Sequence, residues 1–135
     1  MMRVLMLATL AFAAIAQDVG GAGGKPFGPP VDIEFSPPPA DAKAGDVIDT
    51  DIRLRARENL DQLEVTIRPF FGLDLLSDTT RVVLTGVSRG DGPLLKARVR
   101  LTAASGSLAV LVETVSTSTK QIEAGAITIE YGSDR

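Results

Sequence analysis

Alternation of apolar and polar residues is the strongest pattern in this chain. It is cleanest where Ile48, Thr50, Ile52, Leu54 and Ala56 alternate with Asp49, Asp51, Arg53 and Arg55. A period of two residues is typical of a β-strand that has one buried and one solvent-facing side. This segment therefore predicts a half-buried strand whose inward set is centred on Ile52.

Six further segments carry a strand signal. They cover residues 63–67, 73–76, 81–85, 95–101, 108–112 and 125–131, and turn residues separate them at roughly ten-residue spacing. Pro69 is expected to end the second strand, because proline cannot donate to a β-ladder. Residues 121–124 are expected to form one helical turn. No long stretch has helical periodicity, so the pattern predicts an all-β chain.

The strands also predict how the chain packs. Each strand has an apolar side that must be buried against another layer, and two facing sheets are the smallest arrangement that does so. We therefore predict an antiparallel β-sandwich of about seven strands over residues 45–135. Val99, in the middle of another alternating segment, should face the core as Ile52 does.

The first residues have a different character. Arg3 is followed by an apolar run over residues 4–15 and by Ala14-Ile15-Ala16, a small-x-small site for signal peptidase. The run is too short to cross the roughly 30 Å hydrocarbon core as a helix. Residues 1–16 are therefore predicted to be a cleaved signal peptide, which leaves Gln17 as the mature N-terminus. The mature protein should be secreted or periplasmic and not inserted in a membrane.

Residues 17–44 read as a linker. Residues 20–24 are glycine and alanine, which favour flexibility, and prolines at 29–30 and 37–39 favour extended polyproline geometry. Residues 31–35 interrupt the linker with a short alternating segment. Because prolines bound it on both sides, we predict an edge strand there.

Composition removes most catalytic chemistry. The chain has no histidine, cysteine or tryptophan, and its three methionines all lie within the predicted signal peptide. Without imidazole or thiolate there is no ordinary general base, nucleophile or zinc ligand near neutral pH. We therefore predict no enzymatic activity, no cofactor and no metal. A formal charge of −3 also argues against a nucleic-acid partner.

Several segments resemble bacterial immunoglobulin-like modules of the cell-adhesion-related and alpha-galactosidase-associated types. The matching residues are Gly45-Asp46-Val47-Ile48, Asn59 with Leu63 and Val65, Gly72-Leu73-Asp74-Leu75, Gly106-Ser107-Leu108-Ala109-Val110 and Ile127-Thr128-Ile129-Glu130. Phe71 stands where those modules usually have proline before the corner glycine. The resemblance implies an immunoglobulin-like antiparallel β-sandwich that binds, spaces or assembles other molecules without catalysis.

Two groups of residues are candidates for partner binding. Lys96, Arg98 and Arg100 share one side of a strand, and Arg53 and Arg55 are expected on a neighbouring strand. They could form a basic patch for an anionic glycan or a protein, or pair across strands with Asp49, Asp51, Glu64 or Glu113. Phe70 and Phe71 are adjacent large apolar side chains that could plug the end of the sandwich or form an exposed interaction surface.

Two shorter motifs have ordinary structural explanations. Arg89-Gly90-Asp91 matches an integrin-recognition tripeptide, but the residues from Gly90 to Pro93 are also sufficient to make a turn. Asp46, Asp49 and Asp51 could suggest calcium, but they lack the spacing of a calcium loop. Our leading hypothesis is thus a module that binds a protein partner in the cell envelope. The alternative is a carbohydrate or surface-polymer binding module, to which Tyr131, Phe70 and the basic strand with Lys96, Arg98 and Arg100 could contribute.

Overall fold

Residues 28–132 are described by a computed structural model, and this part of the chain forms β-strands joined by turns. The strands are β1 Val31–Phe35, β2 Val47–Ala56, β3 Leu60–Phe71, β4 Leu73–Leu75, β5 Arg81–Val87, β6 Leu94–Leu101, β7 Ser105–Ser116 and β8 Ile122–Gly132. The described residues include no helix of the length and hydropathy needed to cross a membrane. The predicted signal peptide and the glycine-rich tract lie outside the described residues and remain predictions.

The strands form two four-stranded sheets that pack face to face. Sheet A has the order β1-β2-β6-β4 and sheet B the order β5-β3-β7-β8. Every neighbouring pair is antiparallel. The predicted immunoglobulin-like antiparallel β-sandwich is therefore confirmed, with eight strands in place of about seven. The eighth strand is β1, which lies at the edge of sheet A as its flanking prolines predict.

The core lies between the sheets and is formed by alternate residues of each strand. Ile52 on β2 and Val99 on β6 both have 0% exposure, as the alternation predicts. The largest fully buried side chains come from both sheets and are Tyr131, Ile52, Leu54, Leu60, Leu63, Ile67, Leu101, Leu108, Ile129, Val65, Val99 and Val110. One continuous apolar layer thus holds the sheets together.

Two sequence predictions about strand ends are wrong. β3 does not stop at Pro69 but runs on to Phe71. Its pairing with β7 shifts register just after Pro69, between Pro69 and Phe71. Ile67 N donates to Thr80 O, so the N–H position of Pro69 is on the β5 side of β3, past the start of β5, and no bond of the β3–β7 ladder is lost. The expected helical turn at 121–124 is absent, because β8 begins at Ile122 and pairs with Val115. The chain reverses earlier, before Lys120, whose φ of 61° lies in the left-handed region.

A buried hydrogen bond joins the two sheets. Thr50 Oγ1 on β2 and Tyr131 OH on β8 are 2.8 Å apart, and each residue is 1% exposed. Burial raises the pKa of Tyr131, and the Thr50 hydrogen bond partly opposes that effect. The phenol therefore stays protonated at neutral pH. Each hydroxyl satisfies the other in a place that is otherwise apolar.

Tyr131→Phe should lower the free energy of unfolding by about 1–3 kcal/mol, because it leaves the buried Thr50 hydroxyl unpaired. Adding Thr50→Val should recover part of that loss, since the double variant has no orphaned hydroxyl. Urea unfolding of the wild type, both single variants and the double variant measures the coupling. Additive losses would show that the hydrogen bond contributes nothing.

Candidate functional site

The outward face of sheet A carries all five basic candidates. Arg53 and Arg55 lie on β2, and Lys96, Arg98 and Arg100 lie on β6, which pairs directly with β2. All five are exposed, and they alternate with buried residues of the core. The structure therefore places these residues on one sheet face, as their spacing predicts.

Acidic residues are interleaved with the basic ones on this face. Arg98 makes two hydrogen bonds to the Asp49 carboxylate, at 2.8 and 3.2 Å. Lys96 Nζ lies 3.2 Å from Asp51 Oδ1. The cross-strand pairing that the sequence offered as one interpretation is thus present for Lys96 and Arg98.

The remaining basic residues also face acidic neighbours in the register of the sheet. Arg53 lies opposite Glu34, and Arg55 lies opposite Asp32, both on β1. Arg100 lies opposite Asp74 on β4. The outward side of sheet A is therefore a surface of mixed charge rather than a uniformly basic patch. The acids of β1 and β4 were missed at the sequence level, because their strand pairing is not visible in local periodicity.

Two exposed carboxylates, those of Asp49 and Asp61, form ion pairs that lower their pKa values. The hydrogen bond from Arg98, aided by its charge and that of Lys96, lowers the pKa of Asp49. Hydrogen bonds from Lys120 and then Thr117 lower the pKa of Asp61. Lys120 Nζ lies 2.7 Å from Asp61 Oδ2, so this cluster fixes the β7–β8 turn against β3.

These two carboxylates predict an acid-dependent loss of stability. A folded-state pKa below the unfolded value stabilises the protein above the unfolded pKa of about 4. The contribution is lost as the pH falls through the folded-state pKa. Asp49→Asn with Asp61→Asn should therefore lower the urea midpoint at pH 7 and make its decline below about pH 4 shallower. Urea titrations between pH 7 and pH 2 measure this, and an unchanged decline in the double variant would contradict it.

Phe70 and Phe71 form an exposed aromatic corner at the end of β3. Their side chains are 67% and 51% exposed, and the ring centroids are 5.6 Å apart at an interplanar angle of 56°. The chain passes at Gly72 from sheet B into β4 of sheet A. Two exposed phenylalanines in contact form a contiguous apolar patch, and such patches mark candidate interaction surfaces. The alternative in which they plug the sandwich end does not fit their exposure.

The aromatic corner shares its end of the sandwich with another exposed apolar residue. Thr102 N donates to Gly72 O, and Gly45 N donates to Leu101 O, so both connections lie at this end. Val47, which opens β2 just after Gly45, is 49% exposed. The basic candidate nearest to this end is Arg100, the register partner of Val47. The predicted site residues therefore lie in two places: the charged face of sheet A and the aromatic corner.

The two shorter motifs have structural roles. Gly90 N donates to Ala56 O, and Ala56 N donates to Asp91 O, so the Arg89-Gly90-Asp91 loop is a turn fastened to the end of β2. Asp46 accepts a hydrogen bond from Lys43 N, and Asp49 is paired with Arg98. Within residues 28–132 there is no group of three histidine, cysteine, aspartate or glutamate residues arranged to hold a metal.

Comparison with solved structures identifies proteins that contain a similar fold. The crystal structure of alpha-2-macroglobulin from Escherichia coli that spans domain MG7 to the C-terminus matches with a TM-score of 0.57 and 17% identity, over 78% of this chain and 17% of that chain. The native conformation of the same protein matches with a TM-score of 0.57 and 18% identity, over 76% of this chain and 6% of that chain. The form activated by porcine elastase matches with a TM-score of 0.55 and 19% identity, over 76% of this chain and 9% of that chain.

No protein-family model and no curated protein matches the chain. The chain spans less than a fifth of each macroglobulin structure, and at these identities the likeness concerns the fold alone. The chain is therefore an immunoglobulin-like β-sandwich, similar to a domain found within a much larger bacterial protein.

Proposed function

We propose that the protein is a secreted or periplasmic, non-catalytic sandwich module that binds a protein partner in the cell envelope. The observation that carries the proposal is the aromatic corner. Two phenylalanines more than half exposed lose little conformational freedom on binding and offer a large apolar contact area. Exposed aromatic residues at one end of a rigid sandwich are typical of protein-interaction surfaces.

The chemistry of the chain supports binding rather than catalysis. It has no histidine or cysteine to act as base or nucleophile. Among residues 28–132, the carboxylates with lowered pKa values are Asp49 and Asp61, and both are exposed members of salt bridges. Such pairs stabilise a surface and do not position a reacting group.

Capture from an envelope extract tests the proposal. The wild-type protein, a Phe70→Ser/Phe71→Ser variant and a Val83→Ser control are compared as bait. Val83 is also an exposed apolar residue, but it lies on the edge strand β5 of sheet B. We expect one protein to be retained by the wild type and the control and lost with the phenylalanine variant. The same capture by all three, or no specific capture, would overturn the proposal.

Export is a second testable part of the proposal. The mature protein should begin at Gln17 and be recovered from the periplasm or the medium, because Ala14-Ile15-Ala16 follows a short apolar run. N-terminal sequencing of the recovered protein decides this. Membrane-bound material that retains Met1 would contradict cleavage.

One of the residues considered for carbohydrate binding, Tyr131, is buried. Tyr131 is 1% exposed and bonded to Thr50, so it cannot stack on a sugar ring. Phe70 remains available, but Lys96 and Arg98 are engaged with carboxylates. A glycan array on which binding depends on Phe70 would favour this alternative over a protein partner.

A further inference from the structure

Strand β8 is the least protected of the four edge strands. β1 has five residues and is flanked by prolines, β4 has three residues, and β5 has seven residues and contains Arg81 and, at a φ of 61°, Gly86. β8 has eleven residues and contains no proline, lysine or arginine. It pairs with β7 without a register shift. Natural sheets usually shield edges with such features, so a long unshielded edge is a site for strand addition.

The hydrogen-bond pattern shows which groups of β8 are free. Ser116 N donates to Gln121 O at 3.0 Å, which makes these two residues a hydrogen-bonded antiparallel pair. Hydrogen-bonded pairs alternate with non-bonded pairs, so the odd-numbered residues of β8 turn their N–H and C=O groups toward β7. The backbone groups of Ala126, Thr128 and Glu130 therefore point away from β7. We call these three residues the β8 edge.

The chain entering at Gly28 marks one end of this edge. A Cβ placed on Gly28 would lie 3.5 Å from the carbonyl oxygen of Ala124. The carbonyl of Ala124 thus faces the incoming chain, as the alternation requires. Among residues 28–132, no strand pairs with the β8 edge beyond that point. The six backbone N–H and C=O groups of these three residues therefore have no partner strand within the described part of the chain.

The surroundings of the β8 edge are acidic. Lys120 is the only lysine or arginine within residues 105–132, and it is held by Asp61. Glu113, Glu123 and Glu130 form no salt bridge with any described residue. Ser107 donates a hydrogen bond to Glu130 at 3.0 Å, but this leaves the charge in place. The hairpin of β7 and β8 thus carries three acidic residues against one basic residue, and Arg68 on β3, in register with Ala109 and so two strands from Thr128, is a further cation of the same outward face.

We propose that the β8 edge binds an extended basic segment of another polypeptide, which adds to sheet B as a fifth strand. Lysine or arginine side chains at alternate positions would lie on the outward face near Glu130, with Glu113 one strand further away on β7. The intervening side chains would lie beside Ile127 and Ile129 at the rim of the core. Ala126 is small and exposed, so it leaves room on the outward face for long side chains.

Charge selects this occupant over a second copy of the chain. A second β8 strand would bring another hairpin with the same excess of acidic residues to this edge, which disfavours the pair. A basic strand gains attraction from that excess. The proposal concerns a surface separate from the aromatic corner, so either can fail without the other.

Peptide binding tests the proposal on the full mature chain. The probe is a labelled ten-residue peptide with lysine at every second position and valine or threonine between, and the comparison peptide has glutamate in place of lysine. We expect the lysine peptide to bind, to bind more weakly at higher salt, and to exceed the glutamate peptide in affinity. Equal affinity for both peptides would overturn the proposal.

A proline at the edge separates strand addition from simple charge attraction. Ala126→Pro removes an N–H that points away from β7 and should weaken peptide binding about tenfold. Val83→Pro is the matched control on β5. Ile67 N donates to Thr80 O, which places the Val83 N–H on the free edge of that strand. This control, and the Phe70→Ser/Phe71→Ser variant, should bind the peptide as the wild type does. Equal binding by Ala126→Pro would overturn the proposal.

Hydrogen exchange tests the same claim without a variant. The amides of Ala126, Thr128 and Glu130 should exchange quickly in the free protein and slow at least tenfold when the lysine peptide is added. Exchange at these three amides that the peptide does not alter would contradict strand addition. Protection that rises with protein concentration alone would identify a second copy as the occupant and also overturn the proposal.

Discussion

Ile52→Asp should leave little folded protein, and Val99→Asp should have the same effect. Both positions have 0% exposure on the inward side of sheet A. An aspartate there would be a charge in an apolar layer, and the side chain it replaces contributes to that layer. The expected loss is about 4–5 kcal/mol or more, which is close to the whole stability of many small domains. Circular dichroism and resistance to protease measure the folded fraction.

Arg98→Ala is the matched control on the same strand as Val99. Arg98 points to the outward side, where its bond to Asp49 is exposed to solvent. Its loss should leave the urea midpoint almost unchanged, because an ion pair exposed to solvent contributes little to stability. If Arg98→Ala unfolds the protein while Val99→Asp is tolerated, the inward and outward faces of β6 are exchanged.

Gly72→Ala should destabilise the sandwich strongly. Gly72 has a φ of 70° where the chain passes from β3 to β4. A Cβ at this position would overlap the carbonyl oxygen of Ser105 and crowd the Cα of Gly106. Both neighbours are backbone, so the site cannot relax cheaply. We expect a loss of about 2–5 kcal/mol in urea unfolding.

Gly45→Ala separates the steric overlap from the backbone conformation. Gly45 has a φ of 93°, but a Cβ there would meet nothing within 4 Å. Only the cost of placing alanine in a backbone conformation with positive φ remains, so we expect the free energy of unfolding to fall by about 1–2 kcal/mol. Equal losses at Gly45 and Gly72 would show that close packing against Ser105 is unimportant.

The sandwich could be predicted from sequence because each strand has one solvent-exposed side and one buried side. On β2 and β6 the period of two is unbroken, and the buried and exposed residues follow it position by position. Local alternation records only which side of a strand is buried. It cannot record which strands are neighbours, so the pairing of Arg53 with Glu34 and of Arg100 with Asp74 became visible only in the register.

Other features depend on contacts between residues far apart in sequence. The Thr50–Tyr131 bond joins the two sheets, and nothing local to either residue indicates it. Thr114 Oγ1 is buried without a hydrogen-bond partner among residues 28–132, which periodicity cannot reveal either. The exposure of Phe70 and Phe71 was equally undetermined, because an apolar pair at a strand end fits both a buried plug and an exposed surface.

Site-specific photo-crosslinking in the producing cell tests the central claim most directly. A photoreactive phenylalanine analogue is placed at position 70, and in a separate variant at position 85. Thr85 is exposed on β5 and belongs to no proposed surface. If the protein is an envelope module that binds through its aromatic corner, position 70 should give one discrete adduct with another envelope protein and position 85 should not. No adduct from position 70, or the same adducts from both positions, would contradict the account.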